Sequence, residues 1–298
     1  MSTVLFMSNR RIQIVEGTFR RSKVKINKVI EHDLPEGFLI NGVIIDETNL
    51  AESIRKIWAE HKLSRKGLQI VIDSTQFQIK NATFPKLRES AIQELVRNEF
   101  IGNERYSDPI FDYMVLRDNP TNPKMMDVLC CGVESSFIHS YVELFQDAII
   151  QIRSIDTALG GIWRMINFLP LFEARTCILL IFNGDNLLTV LLENGLYKYS
   201  SRARLLAEKN TVDFVMSIQR AVSSIQQFQA VDSNGFSITD AYFCGCDSSV
   251  VSYCKPNIQN LGLNAQLLPD DPSIELNGET NGKHLSDIVF LVGDLMRR

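Results

Sequence analysis

A hairpin opens the chain. The apolar run VLFM stops at Ser8-Asn9-Arg10-Arg11, and the alternating run IQIVE resumes directly afterwards. Two β-rich runs around so short a polar turn pair with each other. The design returns at residues 177–192, where CILLIF and LLTVLLE flank Asn183-Gly184-Asp185-Asn186. Each hairpin is offered a third strand: KVKINKVI (residues 23–30) in the first half, and LYKYSSRA in the second, after Asn194-Gly195. An Asn-Gly pair between alternating runs is a strong hairpin signal. Any fold for this chain must therefore accommodate two similar antiparallel sheets built far apart in sequence.

Helical patterns follow each sheet. In residues 46–60, Leu50, Ile54, Ile57 and Trp58 form one apolar stripe, with Thr48 or Asn49 as the cap. LQIVID (residues 68–73) is apolar apart from Gln69 and the closing Asp73, the pattern of a strand covered on both faces. Residues 77–82 alternate again, and Pro85 ends that unit. A helix (89–100), two strands (111–116 and 126–133) around a Pro/Asn-rich turn, and a helix (134–148) started by Ser135-Ser136 then read as an inserted α+β module. A return strand (149–155) and a helix (156–167) lead to Pro170. The second half continues with a helix over 208–227, a strand over 238–244, a helix over 250–261 interrupted by Pro256, and a strand over 264–268. A polar loop (270–283) precedes a terminal helix over 285–296.

At 298 residues the chain has room for about two domains. A net charge of -4 with interspersed signs excludes the clustered basic face of a nucleic-acid binder. No cationic-then-apolar leader and no apolar run near ~18 residues is present, so a cytoplasmic protein is expected, touching membrane only through partners. Cys244, Cys246 and Cys254 lack a nearby His or a second paired motif, and read as buried thiols along with Cys130, Cys131 and Cys177. His32, His61, His139 and His284 are scattered, and Asp112 and Asp156 read as structural.

A hairpin sheet followed by helices, given twice, predicts an α/β fold of the actin-like ATPase (ribonuclease H-like) type: two domains with an inserted small α+β subdomain. The expected divisions are 1–85 (first subdomain), 86–150 (insertion), 151–170 (return), 171–283 (second domain) and 284–298 (C-terminal helix returning to the first subdomain).

Particular residues sharpen this expectation. LPEGFLINGVIIDETNLAESIRKIW resembles the signature of the type IV pilus assembly protein PilM family. IKNATFPKL resembles the strand entering that family's insertion, Phe111-Asp112-Tyr113 its aspartate-tyrosine strand, and residues 126–135 the strand leading to its next helix. Ile155-Asp156 with Ala158 resembles its return strand, and FLVGDLMRR its terminal helix, so the similarity spans essentially the whole chain. The resemblance implies an actin-like protein at the cytoplasmic side of the inner membrane. Its partners would be the cytoplasmic tail of a PilN-like bitopic protein, held between the first domain and the insertion, and the inner-membrane pilus platform; self-association is open.

Many members of that family bind ATP between the halves at three places. In the first, the aspartate and glycine positions hold Phe6 and Ser8, followed by Asn9 and Arg10. In the second, Ile181 stands at the aspartate position and Asn183 at the glycine position, with Gly184 and Asp185 one step on. In the third, one glycine, Gly245, stands where a pair is expected. Glycine amides cradle phosphates and aspartates organise Mg²⁺. The expectation is therefore vestigial positions at Ser8, Asn9, Arg10, Asn183, Gly184, Asp185 and Gly245, no catalytic residue, no metal and no cofactor. Arg10-Arg11 as anion contacts, or Asp185 as a metal ligand, are weighed against a solvated turn and a backbone-bonded turn aspartate. The alternatives are an ATP-binding, Mg²⁺-dependent pilus ATPase, a related secretion or competence protein, and a sugar-kinase-like enzyme of the same superfamily.

Overall fold

In the computed structural model, which describes every residue except 103–105, 233–235 and Arg298, both hairpins form. The last residue of the FLVGDLMRR run thus lies outside the described residues. β1 (Ser2–Met7), β2 (Arg11–Arg20) and β3 (Lys23–Asp33) make the first meander; β11 (Cys177–Asn183), β12 (Asn186–Glu193) and β13 (Leu196–Arg204) make the second. β6 (Lys66–Ile72) and β10 (Gln151–Thr157) are parallel partners, as are β14 (Asp240–Cys244) and β15 (Asn264–Leu267).

With β16 at Ile274–Glu279, the sheet orders are β10-β6-β1-β2-β3-β16 and β13-β12-β11-β14-β15. Leaving out the edge strand β16, each half runs third, second, first, fourth, fifth from the meander edge. That repeated order is the duplication expected from the sequence. By contacts the chain splits into two compact units: Met1–Val4, Gln13–Glu31 and Gly161–Arg298 form one, and Leu5–Ile12 with His32–Gly160 the other.

In the second of these units, α1 (Glu47–His61) buries Leu50, Ala51, Ile54, Ile57 and Trp58. Its N-cap is Asp46, not Thr48 or Asn49. Asp46 Oδ1 accepts from Asn49 N at 3.1 Å and Asp46 Oδ2 from Asn49 Nδ2 at 2.7 Å, so Asn49 serves as donor within the first turn. α3 (Ser135–Asp147) places Tyr141 in the core, where its hydroxyl donates to Gly42 O at 2.6 Å and pins the LPEG-containing loop. Glu134 is the N-cap and makes no side-chain bond there; Ser135 Oγ donates instead to Asp108 Oδ2. The three-stranded sheet β7-β9-β8 comprises β7 (Gln78–Pro85), β9 (Met125–Glu134) and β8 (Pro109–Asp118). β7, which sequence composition assigned to the first subdomain, thus pairs with the inserted module along its length. α2 (Glu89–Glu99) covers one face of this sheet with Ile92 and Val96, against Phe84, Met126, Val128 and Cys130.

In the other unit, α5 (Val212–Asp232) and α6 (Ser248–Asn260) build a core with β11, β12 and β14 around Phe182, Phe214, Ile218, Phe243 and Val250. α6 continues through Pro256. Pro256 and Ser252, whose carbonyl loses its helical donor, both lie on the exposed face, so water satisfies the freed group. The segment read as a polar loop contains β16 (Ile274–Glu279), parallel to β3, with Glu275 paired to Lys23 and Lys25. Its polar sequence reflects an edge strand held by charge pairs, which alternation of apolar residues cannot reveal. The terminal helix is shorter than expected: a 3-10 turn (Leu285–Asp287) precedes α7 (Val289–Leu295). α7 crosses α4 (Ala158–Phe168) at Gly161 and Gly293, where a Cβ on Gly293 would lie 1.8 Å from Gly161 O. Beside that crossing Arg164 Nη2 donates to the buried Asp294 Oδ1 at 2.7 Å, and Arg164 Nε to Gly293 O at 3.0 Å.

Candidate functional site

The first turn is closed by its own polar groups. Ser8 N donates to Arg11 O at 2.8 Å, Ser8 Oγ donates to the same carbonyl at 3.1 Å, and Arg10 N donates to Ser8 Oγ at 3.4 Å. The LPEG run then locks the turn from outside. Leu34 N donates to Arg10 O at 2.8 Å, and Arg10 Nη2 pairs with Glu36 Oε1 at 3.0 Å. Asn9 Oδ1 accepts from Asn41 N at 2.8 Å. Asn41 in turn donates through Nδ2 to Thr75 Oγ1 and accepts from Ser74 Oγ at its carbonyl. Ser8, Asn9 and Arg10 are thus joined to Glu36, Asn41, Ser74 and Thr75. Arg10, weighed as an anion contact, is held by a carboxylate; the pair is exposed, and such pairs contribute at most about 1 kcal/mol.

At the second turn Asn183 and Asn186 face each other, leaving Gly184-Asp185 as a two-residue loop. Gly184 has φ +58, and a positive φ at the first loop position suits glycine in a type II′ hairpin. No atom lies within 4 Å of a Cβ built there. Asp185 is exposed, and its backbone carbonyl accepts from Leu205 N at 2.6 Å.

Gly245 is demanded by packing. Its φ is +70, and a Cβ would sit 2.2 Å from Phe182 O. Its N–H donates to Ser286 O at 2.7 Å.

These groups do not fit the tail of a magnesium nucleotide. Phe6 (2% exposed) and Ile181 (0%), at the positions where the resemblance expects aspartates, are buried hydrocarbon and offer Mg²⁺ no oxygen. The N–H groups of Ser8, Arg10 and Gly245 already donate within the protein, so they cannot also cradle phosphate oxygens. Asp185 is the one carboxylate among the seven candidate positions. Among the described residues no group of three or more His, Cys, Asp and Glu is arranged around a metal position. The six thiols are free, and burial drives Cys177 and Cys246 up to about 12, Cys254 to about 11 and Cys244 well above the ordinary thiol. They stay protonated and are poor nucleophiles.

A second surface lies on the inserted module. With α2 on one side, the three-stranded sheet presents its other side in cross-strand rows: Ile79, Cys131 and Asp112, then Asn81, Leu129 and Met114. Ile79, Met114 and Cys131 are half-buried and Asp112 is exposed. Burial, followed by the nearby charges of Asp112 and Asp156, pushes the Cys131 thiol up to about 12. The charge of Asp156, at the end of β10, thus reaches this thiol. Sequence reading treated Asp112 and Asp156 as structural and did not single out Ile79, Met114 or this face of Cys131. The alternation of residues 79–83 and 111–116 was the available signal.

Known proteins resemble this chain mainly in structure. No curated protein matches it in sequence. The chain superposes on a structure described as a PilM-PilN type IV pilus biogenesis complex with TM-score 0.79 and 14% identity, covering 99% of this chain and 98% of that one. A Bacteroides thetaiotaomicron protein with an actin-like ATPase fold and unknown function gives TM-score 0.54 at 12% identity, covering 100% and 96%. The cytoplasmic domain of EpsL, an inner-membrane component of the Vibrio cholerae type II secretion system, gives 0.52 at 8%, covering 99% and 95%. These likenesses establish the actin-like fold. The sequence profile of the type IV pilus assembly protein PilM matches residues 5–199, and the chain belongs to that family.

Proposed function

We propose that this chain is an actin-like adaptor of type IV pilus assembly that grips the cytoplasmic tail of a PilN-like bitopic inner-membrane protein without hydrolysing ATP. It would work on the cytoplasmic side of the membrane and connect there to the pilus platform through partners. Among the described residues no helix is long and apolar enough to cross a membrane. Family membership supports the pilus assignment, and the match to a PilM-PilN complex supports the choice of partner.

The observation that carries the binding mode is the face holding Ile79, Met114 and Cys131 beside Asp112 and Asp156. Half-buried apolar side chains give pockets for an extended peptide's alternate residues. The exposed Asp112 carboxylate favours a basic residue at the same place. Titrating a fluorescent PilN-like N-terminal tail peptide into the protein tests this. Cys131→Arg fills and charges the face; with Asp112→Lys it should weaken binding at least about tenfold, roughly the loss of one charge-assisted contact. Unchanged affinity in both variants sinks the proposed location, and no binding to the wild-type protein sinks the adaptor reading.

The absence of hydrolysis is supported by the spent amides and by Phe6 and Ile181. One observation favours a second reading, an ATP-binding assembly ATPase: the exposed Asp185 carboxylate at the second turn. Equilibrium binding of labelled Mg·ATP separates them, since micromolar affinity would overturn the first.

A further inference from the structure

The turn between β2 and β3 is built from the wrong residues for its shape. Arg21 and Ser22 are its two central residues, and both have positive φ, +50 and +56. A two-residue hairpin turn of this kind favours Asn and Gly, because a side chain crowds the backbone in the left-handed region. Strain at two adjacent non-glycine residues points to a use for their side chains.

These residues rim an open pocket of about 420 Å³ whose lining includes Thr18, Phe19, Arg20, Arg21, Leu295 and Arg297. Arg20, Arg21 and Arg297 all line it, and no carboxylate does. The neighbouring cations behave differently: Lys23 and Lys25 pair with Glu275, and Lys28 with Glu279. Among the described residues Arg20 and Arg21 have no such partner, although the chain as a whole is acidic. The pocket wall is also fixed. Gly17 lets Leu295 at the end of α7 close against β2, where a Cβ would lie 2.9 Å from Leu295 Cδ1 and 2.6 Å from Lys25 O. Phe19 is held edge-on by Phe168 with ring centroids 5.7 Å apart.

We infer that this pocket is an anion site for a phosphate ester carrying an apolar or aromatic portion. Guanidinium forks match phosphate oxygens bidentately and tolerate shared negative charge. The hydroxyls of Thr18 and Ser22 add neutral donors at the same rim, and Phe19, Leu295 and Met296 offer hydrocarbon to the rest of the ligand. The site is separate from the turns at Ser8–Arg10 and Gly184–Asp185. A phosphate ester reaches it either as a small soluble molecule or as an anionic lipid headgroup.

The test uses the full chain in low salt with three probes: inorganic phosphate, AMP, and phosphatidylcholine vesicles with or without phosphatidylglycerol. Wild-type protein should bind at least one phosphate probe saturably, and Arg20→Gln/Arg21→Gln should weaken that binding about tenfold or more with unchanged circular dichroism and melting. Binding to AMP or phosphate identifies a soluble ester; binding only to phosphatidylglycerol vesicles identifies a lipid. Because Arg20 and Arg21 are exposed, the double variant should fold, and Arg20→Lys/Arg21→Lys should recover only part of the affinity. Absence of saturable binding to every probe, or binding that the double Gln variant retains in full, overturns the assignment.

Discussion

Gly245 stands where a phosphate-binding glycine is expected, yet its surroundings give it a different reason to be glycine. Replacing it with alanine separates the two. A methyl group there would lie 2.2 Å from the Phe182 carbonyl oxygen, below the 3.0 Å that real Cβ contacts keep, in a backbone with φ +70. Left-handed geometry costs a side chain about 1–2 kcal/mol. Forcing β14 away from β11, where Phe182 is packed between Phe214 and Phe243, adds about 1–3 kcal/mol of overpacking. Gly245→Ala should therefore lose about 4 kcal/mol, roughly 10 °C in melting temperature for a unit of this size. Gly184→Ala is the internal control: its φ is +58 but no atom lies within 4 Å, so only the backbone term of about 1–2 kcal/mol applies. Urea denaturation of both variants, with and without millimolar Mg·ATP, reads the difference. Equal losses in the two variants would refute the packing argument. So would a clear stabilisation of wild-type protein by Mg·ATP that vanishes in Gly245→Ala, because the glycine would then be serving phosphate.

Two further substitutions probe elements that hold the frame. Gly293→Ala drives a methyl to within 1.8 Å of Gly161 O and separates α4 from α7, stranding the buried Asp294 from Arg164; a loss of about 3–5 kcal/mol is expected in urea denaturation, and a loss under 1 kcal/mol would discount the crossing. His284 Nδ1 donates to Asp270 Oδ2 at 2.7 Å, and that bond, with the Asp270 and Asp287 charges, raises its pKa above 6.5. The sign follows from a raised folded pKa: the contribution is complete below the unfolded value and disappears as pH rises through the folded one. The urea midpoint should thus fall slightly between about pH 6 and about pH 8, with His284→Gln flattening that slope; an unchanged slope would assign it to other groups.

How much of this was legible in the sequence depends on whether a structural cause is local. The hairpins, β6, α1 and α2 announce themselves because side-chain period and turn chemistry are written in adjacent residues, as in CILLIF and Asn194-Gly195. β16 does not, because what holds Ile274–Glu279 in place is β3 and its lysines, some 250 residues earlier in the chain. The short cap rules pointed to Thr48 or Asn49, and geometry places the cap at Asp46 instead.

The candidate site divides along the same line. That Phe6 and Ile181 carry no oxygen is visible in the letters, but what the polar groups of the turn residues bond to is not. Asn9 is committed to Asn41, Arg10 to Glu36 and Gly245 to Ser286, each through a contact that no local pattern encodes. These contacts also make the turns resistant to piecemeal reversal. A glycine at Ser8 would remove two hydrogen bonds made by the serine hydroxyl, yet Leu34 would still bond Arg10 O and Asn41 would still bond Asn9. An aspartate at Phe6 would place a charge where the side chain is 2% exposed, and the nearest turn would offer it no magnesium-bound phosphate to offset the desolvation. Restoring one element alone should therefore destabilise the protein without creating nucleotide affinity, since the N–H groups of Ser8, Arg10 and Gly245 stay spent within the protein and Phe6 or Ile181 still supplies no oxygen.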